Sequence, residues 1–166
     1  VFTVIFLDEE IREYIQRARA GEGALDTLYR EIVLEPIQRE LTQRNSSIKI
    51  EEYQRPIENL DELEQAIELL SAGNVAEIVT NALKKSNTFI EGVDTLVFIF
   101  PCNPDDSFTR DQMKGVRGVS GLSCGTAILS VNPLAPGWQE TLSYTTAHEF
   151  HHVTWGIRHR HKFSGN

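Results

Sequence analysis

Residues 118–155 read GVSGLSCGTAILSVNPLAPGWQETLSYTTAHEFHHVTW, and the reading of this stretch decides the fold. Its second half predicts one long helix, from Trp138 to about Trp155, introduced by Pro136 and Gly137. Its first half predicts strands. Ala127 to Val131 is a short apolar run, approached through Gly115, Gly118, Gly121 and Gly125. Those glycines carry neither the Lys-Ser/Thr of a P-loop nor the close spacing of a dinucleotide fingerprint, so the expectation is a hairpin.

Working outward, Thr95 to Phe100 has the composition of a buried strand stopped by Pro101, and Cys102 to Met113 reads as a polar loop. Upstream of Asp94 the pattern is mostly helical. Val1 to Leu7 is a β-branched and aromatic run expected to form a short strand. Asp8 then caps a helix carrying Ile11, Ile15 and Ala18, which Gly21 and Gly23 end. Leu28, Ile32, Ile37 and Leu41 recur at helical spacing, with Pro36 expected to kink or restart that helix. Ile48 to Tyr53 reads as a strand. Asn59 with Glu62, and Asn74 with Glu77, have capping-box spacing at the starts of two further helices, the second closing on Lys84 and Lys85. The class is α+β: a single domain over 1–166, mainly helical over 1–93, with strands and the long helix over 94–166.

Composition narrows the function. The 166 residues hold 16 Lys+Arg against 24 Asp+Glu, a net charge of −8, with 40% hydrophobic residues. A chain of this length buries roughly 70% of the surface it exposes when unfolded, so it needs no disulfide staples. Arg158, Arg160 and Lys162 lie beyond Trp155, where there is no acid, which leaves 13 basic against 24 acidic residues, −11, over residues 1–155. Such a body repels nucleic acid. Cys102 and Cys124 lack CxxC spacing and read as free thiols. The longest apolar run, Leu96 to Phe100, is far too short to cross a membrane, and no complete signal peptide is recognisable. A cytoplasmic location is slightly favoured. Since the sequence starts at Val1 and stops at Asn166, trimming at one or both ends is expected.

His148-Glu149-Phe150-His151-His152 satisfies HExxH. At about 100° per helical residue, His152 lies about 40° around the axis from His148 and one turn on, so both imidazoles reach a single ion. Zn²⁺ needs neutral nitrogens to hold it and a nearby carboxylate to take a proton from its water. His148 and His152 are therefore the candidate ligands, and Glu149 the candidate general base. Leu142, Phe150, Val153 and Ile157 form an apolar stripe on the opposite side of the helix. His151 has three readings: substrate contact, support for the ligands, or a solvated side chain. A His148/His151 pair could also hold a metal, though the motif favours His148/His152. Tyr144 and Trp155 share the face of His148 and read either as cleft-lining or as ordinary half-buried aromatics.

This segment, with LYREIVLEPIQREL at residues 28–41, resembles the bacterial YjaZ-like family of Zn-dependent proteases. The likeness is tight over residues 118–155 and loose elsewhere. It implies a zincin-like fold in which a strand within Val119 to Val131 pairs with an extended peptide or protein substrate. It also implies a gluzincin-like arrangement, with a third ligand from a Glu on a later helix. No Asp or Glu follows Glu149 here, so the chain reads as the N-terminal part of a metallopeptidase, a weak zinc binder and a poor peptidase without its continuation. His159 and His161 are the only other downstream candidates. Two rival readings stand beside this one: a non-catalytic zincin-fold binding module with a structural metal or none, and a helical interaction protein in which HExxH is accidental.

Overall fold

The computed structural model describes residues 1–121 and 124–159. A four-stranded sheet lies at its centre, in the order β1-β2-β4-β3. Strands β1 (Phe2–Phe6), β2 (Thr95–Pro101) and β4 (Thr126–Val131) are parallel, while β3 (Val116–Gly121) is antiparallel to β4 and forms one edge. The hairpin expectation therefore holds, with Val119 opposite Ile128. β1 pairs with β2 from Phe2 opposite Thr95, so residues 1–93 and 94–159 share one sheet rather than dividing at Asp94.

Alternation along β2 builds two cores. Leu96, Phe98 and Phe100 face one layer of helices, whereas Val97 and Ile99 face the other. The first layer holds α1 (Asp8–Arg19), α2 (Leu25–Tyr29), α3 (Glu35–Gln43) and α4 (Leu60–Ala72). It packs Ile11, Tyr14, Leu34, Leu41 and Leu63 on the sheet. The second layer holds α5 (Val75–Asn87) and α6 (Trp138–Arg158), with Val79, Leu83, Leu142, Phe150 and Val153 buried beneath them. Each face of the sheet is thus covered by helices, and the fold is α+β with a small mixed sheet.

Some local expectations hold and several are corrected. Pro36 restarts the helix, one of its two expected roles: residues Arg30–Leu34 form a wide turn in which Glu35 N–H donates to Arg30 O, and α3 begins at Glu35 with Pro36 in its first turn. The wider register keeps the chain helical up to a residue that has no amide to donate. Ile48 to Tyr53 is not a strand. Gln38 on α3 donates to Ile48 O (3.2 Å) and accepts from Ile50 N (2.8 Å), taking groups that a ladder would need, and Ile50–Glu52 closes into a tight 3-10 turn. Asn59 caps α4 by accepting from Glu62 N at 3.1 Å, as expected. Asn74 does not cap α5: it sits in the left-handed region (φ 54°), making the tight link between α4 and α5, and its side chain forms no cap bond. Asp8 is the first helical residue of α1 rather than its cap, and accepts from Glu9 N at 3.0 Å. The loop expected over Cys102 to Met113 contains one wide helical turn, Phe108–Gln112.

Among the described residues, no helix is long and apolar enough to cross a membrane. Cys102 and Cys124 are both free thiols, as read from their spacing.

Candidate metal centre

Helix α6 is fixed at both ends of its buried face. Trp138 at its start lies over Gly73, where an added Cβ would come within 2.6 Å of the indole ring. Further along, Phe150 meets Phe2 of β1 edge to face, with ring centroids 5.5 Å apart. Leu142, Phe150 and Val153 are buried against the sheet and α5, as the apolar stripe predicted. With that face committed to the core, His148, His151 and His152 are exposed on the other side.

There the two motif histidines come together. Nε2 of His148 lies 2.9 Å from Nε2 of His152, and the rings meet edge to face at 4.5 Å. Two imidazole nitrogens bound to one tetrahedral zinc at 2.0–2.1 Å stand about 3.4 Å apart, so a small ring rotation brings this pair to ligating distance. The two nitrogens are thus of the kind and near the spacing at which one zinc ion takes two imidazoles. His151 is exposed, with its ring 6.4 Å from that of His152. Tyr144 is not the half-buried aromatic of one expectation: it is 74% exposed and stacks on His148, with planes 18° apart and centroids separated by 6.4 Å. Trp155, also exposed, stacks on His159 at 4.8 Å.

Glu149 behaves differently from its neighbours. It is only 8% exposed, because its position around the helix turns it to the edge strand β3. Ser120 Oγ on that strand donates to Glu149 Oε2. Two residues earlier on the same face, Gly118 leaves room for the carboxylate. A Cβ there would lie 2.7 Å from both Cγ and Oε1 of Glu149. The sequence reading missed Ser120 and Gly118. Their signal was present as small residues at i and i+2 on a strand beside the HExxH helix, which places both on one strand face.

The third ligand is not found near the pair. Among the described residues, no group of three His, Cys, Asp or Glu side chains is placed to hold a metal. His159 Nδ1 is 2.9 Å from Trp155 O, and its ring is stacked on Trp155 rather than turned to the pair. His161 lies outside the described residues.

Two cavities stand out, and only the first touches α6. On the side of α6 away from β3, Ile78, Ala82, Phe89, Tyr144 and Ala147 wall an apolar groove of about 570 Å³ between α5 and α6. A polar cavity of about 480 Å³ is lined by Gln54, Arg55, Cys102, Asp106, Arg117 and Ser130. Burial, and then the Asp106 carboxylate beside it, push the Cys102 thiol up to about 12, which keeps it protonated and unreactive at neutral pH.

Compared with family models, curated proteins and solved structures, the chain matches none of them.

Proposed function

We propose that this chain carries the catalytic half-site of a zinc-dependent metallopeptidase, with His148 and His152 as ligands and Glu149 as general base. The observation that carries the reading is the 2.9 Å approach of the two Nε2 atoms on the exposed face of α6, with Glu149 one residue on. The likeness to the YjaZ-like proteases points the same way. So does the position of β3, an edge strand packed on the HExxH helix, where an extended peptide can add as a further strand.

Zinc, when bound, supplies a Lewis acid for a carbonyl oxygen and lowers the pKa of water to about 7. The chain supplies the proton handling. Glu149 accepts a proton from the attacking water and passes it to the leaving amine nitrogen as the peptide C–N bond breaks. Ser120 occupies Oε2, which leaves Oε1 as the oxygen that would take that proton. The edge of β3 aligns the peptide main chain, and the outward face of α6 holds the two imidazoles. Among the described residues no third ligand stands beside the pair, so this reading requires one from outside them.

A non-catalytic binding module is the second reading, favoured by the absence of a third ligating side chain beside the pair among the described residues. Cleavage decides between them. The zinc-loaded full-length protein should hydrolyse members of a mixed peptide library, and chelation should abolish the new termini. A zinc-loaded protein that cleaves nothing would leave the binding module standing.

A further inference from the structure

We infer that Ser120 is the positioning residue for Glu149, and that Gly118 is glycine because the carboxylate needs its space. The inference rests on the metallopeptidase reading, but its geometry stands without a metal. Glu149 is 8% exposed, and burying a carboxylate is unfavourable unless a donor meets it. Ser120 Oγ, donating to Oε2, is that donor.

The two residues act on different oxygens. Ser120 and Gly118 project to the same face of β3, toward α6. Ser120 holds Oε2, while the missing side chain at Gly118 leaves Oε1 and Cγ unobstructed, since a Cβ would lie 2.7 Å from each. A glutamate on a helix surface has three rotatable bonds, and holding one oxygen removes most of that freedom before substrate arrives. The register of the β3–β4 hairpin fixes where the hydroxyl stands: Ser120 pairs with Ala127, and Gly118 with Leu129. A slip of one residue would turn Val119 to α6 in place of the serine. The edge strand thus has two tasks in this account, offering its free edge to the peptide and its inner face to the base.

Two experiments test this. In metal-free protein, a double-mutant cycle compares urea midpoints for Ser120→Ala, Glu149→Ala and the double variant. The expected result is that Ser120→Ala lowers the midpoint of the parent and has no effect in the Glu149→Ala background. Additive shifts would overturn the contact. In the zinc-loaded full-length protein, Ser120→Ala should lower kcat about tenfold, with KM within about twofold and zinc content unchanged, and Ser120→Thr should restore kcat to within about threefold. If Ser120→Ala turns over peptides at the parent rate, or Ser120→Thr fails to rescue, the positioning role is wrong while the hydrolase reading survives. A parent without any peptidase activity would overturn the hydrolase reading and the positioning role together.

Discussion

A Cβ on Gly118 would stand 2.7 Å from both Cγ and Oε1 of Glu149, on a strand otherwise joined to α6 by the Ser120–Glu149 hydrogen bond. The obstructed atoms, from Cγ to Oε1, all belong to the Glu149 side chain and none to backbone, so the substitution displaces the carboxylate. Gly118→Ala should therefore keep its circular dichroism and its zinc while losing more than about tenfold in peptide cleavage. Gly73→Ala is the contrast. Its Cβ would meet the Trp138 ring at 2.6 Å and Leu69 O at 3.2 Å, and thermal unfolding should show a clear loss of stability. Equal losses of stability in the two variants would mean that Gly118 serves packing alone.

Glu149→Gln tests the base. The amide still accepts a hydrogen bond from Ser120 but cannot take a proton from water. Zinc content should be unchanged and most peptidase activity lost. Activity within about threefold of the parent would remove Glu149 from this role, and loss of zinc would make it a ligand instead.

Alkaline pH should weaken the fold. Burial pushes the Cys102 thiol and the Tyr14 hydroxyl each up to about 12 and raises Tyr29 further. In unfolded chains these groups ionise near about 8.5 for cysteine and 10 for tyrosine. Between those values and the native ones the unfolded state loses protons that the native state keeps, so stability falls as pH rises. The urea midpoint should decline above about pH 9 and more steeply above 10. The Tyr29 hydroxyl is buried with no hydrogen-bond partner among the described residues. Tyr29→Phe should then leave neutral-pH stability equal or higher and make the alkaline decline shallower. An unchanged alkaline slope would contradict the burial argument.

The two thiols should differ in alkylation. Cys124 is partly exposed at the hairpin, with its sulfur 3.2 Å from Thr126 Oγ1, whereas Cys102 is buried. Mass spectrometry of native protein treated with iodoacetamide at pH 8 should find Cys124 modified first. Modification of Cys102 ahead of Cys124 would show that its pocket opens.

Helix α4 depends on one side chain at its start. Asn59→Ala should cost about 1 kcal/mol in urea unfolding, since the Glu62 amide loses its partner. Asn74→Gly should be close to neutral, because its residue contributes a left-handed backbone and not a cap. A loss at position 74 matching that at 59 would restore the capping reading for both.

These outcomes mark what was legible in the sequence. The strands, the hairpin and α6 could be read because period-2 and period-3.6 patterns are local, and the apolar stripe of α6 already turned His148 and His152 away from the core. The same locality explains the misses. Gln38 binds a segment ten residues on, and nothing in Ile48 to Tyr53 announces that its amides are taken. Asn74 with Glu77 has the spacing of a cap, but the two-residue link between α4 and α5 demanded a left-handed residue at that position. The neighbourhood of Glu149 was hidden for a related reason. Ser120 is 29 residues away, and only the register of β3 brings its hydroxyl to the carboxylate.

Zinc stoichiometry tests the central claim most directly. Elemental analysis of the freshly purified full-length protein at neutral pH, beside His148→Ala and His152→Ala with folding checked by circular dichroism, measures the pair itself. The account predicts equimolar zinc in the parent and its loss in both folded variants. Unchanged zinc content in folded His152→Ala would contradict it.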